Sequence, residues 1–276
     1  MRSFFIIVLF ACIHLPSFAQ YYYKDIIGGR ETADLVKTYQ ANKVQKVVLN
    51  SYDANNTQNT DFYVEQQLTN STMRTITRSN VTNESVLTSY LEGSNVVKTV
   101  DSSDAVVSTT SYTNNSKGQL ISTVSFSSDS SNTANESEQH IWEYANGIPS
   151  RMLRIKNGGD TTFVLFKTDD KGNVIEEQET HKGVKTEPVY YYYDANNRIT
   201  DIVRFNKRAN RLLPEYMFEY SPTNQVVQQI TVPANNSEYL IWRYQYNDKG
   251  LKVKEAVYDK QKKLNGSITY EYSFGN

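Results

Sequence analysis

The side chains that could perform catalysis are spread along the chain without the spacing that a known active site requires. Beyond the N-terminal leader the histidines are His140 and His181, and they lack the HExxH spacing of a zinc site. No Gly-x-Ser-x-Gly elbow marks a nucleophilic serine. We therefore predict no catalytic residue, no metal ligand and no cofactor, and we interpret both histidines as ordinary strand or surface residues.

Paired carboxylates are the next candidates, because two acidic groups can hydrolyse a glycosidic bond. Glu176–Glu177 and Asp169–Asp170 are such pairs. Neighbouring residues of a strand point to opposite faces, however, so neither pair forms a dyad by itself. We interpret both as solvated sheet edge or turn, and we keep an enzyme acting on polysaccharide as the least favoured hypothesis.

Oxygen-rich turns could hold calcium. Asp53-x-Asn55 and Asp194-x-Asn196 supply carboxylate and amide oxygens but lack the full calcium-loop spacing and its closing bidentate Glu. Asp and Asn also bind their own backbone in Asx turns. The second interpretation is favoured.

Aromatic side chains are the first candidate binding surface. Tyrosine and tryptophan combine a flat apolar ring with a polar handle, which suits stacking on sugars. The same rings could instead form the core of a sheet, and the sequence leaves both interpretations open. The candidate residues are Trp142, Tyr191, Tyr193, Trp242 and Tyr244.

A basic connection is the second candidate surface. It contains Arg204, Lys207, Arg208 and Arg211, and a second connection contains Lys260, Lys262 and Lys263. In a meander these two connections emerge on the same rim, where they could face an anionic glycan. Acidic neighbours weaken the positive potential of these two connections, so a solvated rim is the favoured alternative.

Alternating apolar and polar residues predict the elements that must carry these groups. Leu240, Trp242, Tyr244 and Tyr246 share one face of a predicted strand, as period-2 patterning requires. Turn residues such as Asp248-Lys249-Gly250 separate the strands. After each turn an aliphatic residue restarts a strand about every 25 residues: Val44, Met73, Val96, Leu120, Ile148, Val174, Ile199, Val226 and Leu251.

These patterns predict an all-β protein: a long, twisted and curled antiparallel meander of about eight to nine β-hairpin repeats of roughly 25 residues over 44–276. A polar stretch near 127–138 is a candidate boundary within it. Residues 20–43 do not follow this repeat. Gly28-Gly29 is expected to end the segment that begins at Tyr21, and Thr32 can cap a short helix that runs to about Gln40. We expect this helix to cover one end of the sheet, with Ala33, Val36 and Tyr39 on its buried face.

The pattern Tyr-x-Tyr-Asp-x-x-Gly-x-Leu/Ile resembles the tyrosine–aspartate (YD) repeats of Rhs-type and wall-associated bacterial surface proteins. Tyr191, Tyr193, Asp194 and Ile199 match it, with Asn197 in place of the glycine. The match covers most of 44–276 and is good only after about residue 140. The resemblance implies a spiral β-sheet and an envelope location, and no toxin-like domain accompanies it.

The first residues predict export. Arg2, an apolar run from Phe4 to Ala11, and Pro16-Ser17-Phe18-Ala19 form a signal peptide (1–19) that would be cleaved before Gln20. The alternative is a lipoprotein anchored at Cys12, the single cysteine. We expect a secreted or periplasmic bacterial protein with no transmembrane segment after cleavage.

Net charge and composition restrict the classes of partner that the protein can bind. The formal net charge is −1, without the basic field that nucleic-acid binding needs. We expect a non-enzymatic scaffold or binding module for glycans or envelope components. The alternative is a periplasmic carrier that encloses an apolar ligand.

Overall fold

A closed antiparallel barrel surrounds one helix in the computed structural model, which describes residues 21–80, 84–103, 106–129, 135–233 and 238–275. The predicted signal peptide and Cys12 lie outside these residues. The elements are α1 (Lys24–Ala41), β1 (Val44–Asp53), β2 (Phe62–Leu68), β3 (Thr72–Ser79), β4 (Ser85–Glu92), β5 (Asn95–Ser103), β6 (Val106–Asn114), β7 (Leu120–Asp129), β8 (Asn135–Ala145), β9 (Ile148–Lys156), β10 (Asp160–Thr168), β11 (Val174–His181), β12 (Val184–Lys185), β13 (Val189–Tyr193), β14 (Ile199–Asn206), β15 (Arg211–Tyr220), β16 (Val226–Thr231), β17 (Leu240–Tyr246), β18 (Lys252–Tyr258) and β19 (Leu264–Phe274).

The first and last strands close the sheet. β1 pairs antiparallel with both β2 and β19, and the β19 register runs from Val44↔Phe274 to Asp53↔Gly266. Because β11 also pairs directly with β13, the two-residue β12 lies outside the ring, which leaves 18 of the 19 strands in the closed barrel. The prediction of an all-β chain with one helix is confirmed.

The expected long, curled meander of eight to nine hairpins is wrong, because the sheet closes on itself into a barrel of 18 strands. A twisted sheet of this length has two unpaired edges, and closure removes both by pairing them with each other. The sheet is continuous through the region near 127–138, because β7 and β8 pair from Ser122↔Ile141 to Ser128↔Asn135. Residues 130–134 of the intervening connection lie outside the described residues.

The helix lies inside the barrel rather than over one end, and it is longer than predicted. It begins at Lys24 rather than near Thr32, and Gly28 and Gly29 are helical. Contacts with the barrel wall override the low helix propensity of glycine. The predicted buried face is confirmed, because Ala33, Val36 and Tyr39 are all buried.

Two apolar clusters fix the helix against opposite parts of the wall. Its N-terminal end, with Tyr22, Tyr23 and Ile26, packs on inward side chains of β8–β14, including Trp142 and Tyr191. Its C-terminal end, with Val36 and Tyr39, packs on side chains of β1–β4 and β19 and on Leu251, which directly precedes β18. The helix therefore crosses the lumen as a strap.

A strap of this width leaves part of the lumen open. Barrels of 16–18 strands are wide enough to hold water, whereas a helix with its side chains is only about 10–12 Å across. Inward residues on both sides of the strap, such as Thr110 of β6 and Trp242 of β17, are accordingly half-buried. In the part of the chain that the structure describes, no helix is both long and apolar enough to cross a bilayer.

Candidate functional site

The N-terminal end of the strap is held by Glu177, a buried carboxylate of β11. Glu177 accepts the backbone N–H groups of Tyr22 (2.9 Å) and Tyr23 (2.9 Å) and the hydroxyl of Tyr191 (2.8 Å). A negative group at a helix N-terminus also interacts favourably with the helix dipole. Burial raises the pKa of Glu177, and the three donors act in the opposite direction.

A buried ionic network adds a second anchor. His140 of β8 binds Asp25 in the first helical turn through Nδ1 (2.6 Å) and Glu138 through Nε2 (2.9 Å). Arg154 of β9 contacts the other Glu138 oxygen at 2.6 Å. Although burial opposes the charged imidazole, the two carboxylates raise the pKa of His140 to about 9. The same contacts outweigh burial at Glu138 and lower its pKa to about 2.

The C-terminal end of the strap reaches one rim of the barrel. Gln40 donates to the Gly93 carbonyl in the β4–β5 turn (3.0 Å), and Asn42 donates to the Lys249 carbonyl in the β17–β18 turn (3.2 Å). We call this end, where α1 finishes, the helix rim. The strap is thus fixed at mid-barrel and at the helix rim.

A repeated hydrogen bond organises the helix rim. In the described chain, five inward tyrosines donate their hydroxyls to the backbone at the start of a preceding strand, at 2.7–3.0 Å. The pairs are Tyr144–Leu120, Tyr193–Val174, Tyr220–Ile199, Tyr246–Val226 and Tyr272–Lys252. Each tyrosine therefore ties its own strand to the preceding tight turn.

Where an aspartate follows a tyrosine at the end of a strand, its side chain shapes the next turn. Asp194 Oδ1 accepts the backbone N–H groups of Asn196 and Arg198, and Asn197 takes a positive φ of 60°. Asp53 makes the equivalent bonds to Asn55 and Thr57. The predicted Asx turns are confirmed, and among the described residues no group of His, Cys, Asp and Glu is placed to hold a metal ion.

An aromatic surface lines the lumen on β15 and β17, and its β15 side packs against the N-terminal cluster of the strap. We call Tyr216, Phe218, Trp242 and Tyr244 the luminal aromatic wall. The register Phe218↔Gln229↔Trp242 places these two rings on either side of one glutamine, and Tyr244 donates to Gln229 at 3.3 Å. All four wall residues are half-buried, so their rings retain accessible surface.

The predicted aromatic binding residues separate into three environments. Trp142 and Tyr191 are 3% and 2% exposed and pack against the strap, and Trp142 stacks on Phe166. Tyr193 belongs to the helix rim. Trp242 and Tyr244 belong to the luminal aromatic wall. The structure therefore gathers Trp142 and Tyr191, with Tyr193 beside them, in the packed cluster at the strap, and it places Trp242 and Tyr244 together on the luminal aromatic wall.

The predicted basic residues also separate. Arg204 lies within β14 and is paired with Glu215 at 2.7 Å, with both side chains largely buried. Lys207 and Arg208 follow β14 and Arg211 begins β15, and all three are exposed on the rim opposite the helix rim. The β18–β19 connection, with Lys262 and Lys263, emerges on that same rim.

The residues that anchor the strap are not indicated by the sequence pattern. The expectation of a solvated edge is wrong for Glu177, which is 3% exposed. The expectation of an ordinary strand histidine is wrong for His140, which is 5% exposed between two carboxylates. The partners of Glu177 on the strap, Tyr22 and Tyr23, lie 155 and 154 positions earlier, so no local spacing indicates them.

A polar cavity of about 520 Å³ opens at the helix rim on the other side of the strap. It is lined by residues of the β4–β5 and β6–β7 hairpins: Glu92, Asn95, Val97, Tyr112, Thr113, Asn114, Asn115, Ser116 and Gly118.

Comparisons with known proteins find weak similarity to solved structures and no match in sequence. No protein-family model and no curated protein matches the sequence. Among solved structures, a porin-like protein from Bacteroides uniformis is similar over 83% of this chain and 98% of its own, at 10% identity and a TM-score of 0.35. The Tc holotoxin pore of Photorhabdus luminescens is similar over 80% of this chain and 14% of its own, at 10% identity and a TM-score of 0.31. Scores this low carry no argument, and the relation to YD repeats stays a distant resemblance.

Proposed function

We propose that this protein is a non-enzymatic binding module of the bacterial envelope that holds a glycan against its luminal aromatic wall. The observation that carries the proposal is the partial exposure of four aromatic residues on β15 and β17, on either side of β16 and beside a fixed helix. Such rings stack on the apolar faces of sugars, while Gln229 and the phenols can bind sugar hydroxyls.

The wall is supported as a binding surface by its rigidity. Tyr216 and Phe218 stack with centroids 6.4 Å apart, and Tyr21 packs edge-on against Tyr216 at 6.0 Å. Burial, with the nearby Glu255 charge, raises the pKa of Tyr244. The Lys252 ammonium lies 4.7 Å from the centre of the Tyr244 ring and holds it in place. A preformed aromatic surface costs little ordering entropy when a ligand binds.

The outer face supports an aqueous surrounding for the barrel. Ion pairs lie across neighbouring strands on that face: Lys46–Glu65, Arg151–Glu143 and Lys167–Glu176. Barrels that span a membrane instead carry an outward apolar band. Exposed Leu165 lies opposite Arg151 of one of these pairs, and exposed Phe163 lies opposite Leu153. A secreted or periplasmic barrel fits this surface, in agreement with the predicted leader.

The alternative of an apolar carrier receives less support. The strap and its two clusters already occupy the apolar part of the lumen. The cavity at the helix rim has Val97 as its single aliphatic lining residue. Neither feature provides an empty apolar volume for a lipid.

The test is a screen of the purified protein on a printed array of bacterial surface oligosaccharides, followed by calorimetric titration of each hit. We expect Trp242→Ala to weaken binding at least tenfold. Tyr192→Ala removes a tyrosine that is 50% exposed on the outer face, and it should bind like the wild type. Thermal unfolding confirms that both variants are folded. Absence of any hit, or equal effects of the two variants, would overturn the proposal.

A further inference from the structure

The cavity at the helix rim is a separate pocket from the luminal aromatic wall. It lies at β4–β6, whereas the wall lies on β15–β17, about halfway round the ring of 18 strands. Its volume of about 520 Å³ falls within the range of small-molecule sites. Turns that are already hydrogen-bonded frame it, because Asn115 Oδ1 accepts the backbone N–H groups of Lys117 and Gln119.

Several polar side chains around the cavity are uncommitted. Those of Glu92, Asn95, Asn114 and Ser116 make no hydrogen bond or ion pair with another described residue. Together they offer carboxylate, amide and hydroxyl groups to one small volume. This set can bind a ligand that carries several hydroxyls and at least one strong donor.

Glu92 gives the cavity a group that can receive a cation. It is the one carboxylate among the residues that line the cavity, and Lys117 lies in the framing turn between Ser116 and Gly118. The last turn of α1 has no basic residue, and Gln40 of that turn binds the Gly93 carbonyl next to Glu92. The C-terminal end of a helix carries partial negative charge, which adds to that of Glu92. The Tyr112 ring also lines the cavity and can contact an ammonium group through its face.

We propose that this pocket binds a protonated amino sugar, with Glu92 receiving the ammonium group and Asn95, Asn114 and Ser116 the sugar hydroxyls. The pocket is a second site, so it does not depend on the glycan site of the luminal aromatic wall.

The experiment titrates the purified protein with glucosamine at pH 6 and compares N-acetylglucosamine, in which the amine is a neutral amide. We expect saturable 1:1 binding of glucosamine and at least tenfold weaker binding of N-acetylglucosamine. Glu92→Gln keeps the shape of the side chain and removes its charge, and it should weaken glucosamine binding at least tenfold. Glu271→Gln, at an exposed outer position, should have no effect.

Trp242→Ala distinguishes the two sites, because it should leave glucosamine binding unchanged even if it abolishes glycan binding. Three outcomes would overturn the assignment: no glucosamine binding, equal binding of both sugars, or equal losses in Glu92→Gln and Glu271→Gln.

Discussion

The Glu177 carboxylate and the Tyr22 backbone N–H meet at 2.9 Å across 155 positions of sequence. Because Glu177 also binds Tyr23 and Tyr191, it joins the start of the strap to β11 and β13 at mid-barrel. This carboxylate links the helix to the wall that encloses it.

Removal of Glu177 should therefore destabilise the protein strongly. Glu177→Ala leaves three buried donors without an acceptor, which we expect to cost about 3 kcal/mol and to lower the thermal midpoint by roughly 6–12 °C. Glu176→Ala is the matched control on the opposite face, where Glu176 pairs with an exposed Lys167. It should cost below about 1 kcal/mol. Similar midpoints for the two variants would contradict the anchoring role.

Stability should fall at alkaline pH because of His140. Its pKa rises from 6.5 to about 9 on folding, so the charged imidazole stabilises the folded state fully below about pH 6.5. This stabilisation, on the order of 3 kcal/mol, is lost as the pH rises through 9. Urea unfolding from pH 6 to 9.5 should show the decline in the wild type and a flatter profile in His140→Gln. Parallel profiles would exclude His140 as its source.

The tyrosine bonds at the helix rim should stabilise the turns that they reach. Tyr193→Phe removes the bond to the Val174 carbonyl, and we expect a cost of about 1 kcal/mol together with faster amide exchange in residues 169–173. Tyr192→Phe changes an exposed neighbour on the outer face and should leave exchange unchanged. The idea fails if exchange in 169–173 is the same in both variants.

Barrel closure can be tested at the seam between β1 and β19. Asn50 and Thr269 are directly paired there, and opposed residues lie within disulfide range. The double variant Asn50→Cys/Thr269→Cys, in a Cys12-free background, should form an intramolecular disulfide under mild oxidation. Asn50→Cys paired with Thr161→Cys of β10 is the control and should stay reduced. Absence of the seam disulfide would contradict the closed barrel.

Local features of the fold could be predicted from the sequence because they depend on neighbouring residues. Leu120, Ile148, Val174, Ile199 and Val226 each begin a strand, as predicted. Asp194 shapes its turn within four residues, so the turn is also visible in the sequence.

Closure and the strap could not be predicted, because they depend on distant pairs. No local pattern indicates that Val47 pairs with Tyr272, or that Asp25 meets His140 inside a lumen. The alternating aromatic residues are the same whether a strand faces a filled or an open part of the barrel. Trp142 and Trp242 therefore look alike in sequence, although one is packed against the strap and the other is not.

This contrast between the two tryptophans tests the account most directly. Trp142→Phe leaves Trp242 as the single tryptophan, and Trp242→Phe leaves Trp142, so excitation at a wavelength that tyrosine does not absorb reports each one separately. We predict that acrylamide quenches Trp242 several-fold more strongly than Trp142, because water reaches the luminal aromatic wall but not the strap interface. Equal quenching of the two tryptophans would contradict an open aromatic wall and, with it, the proposed binding site.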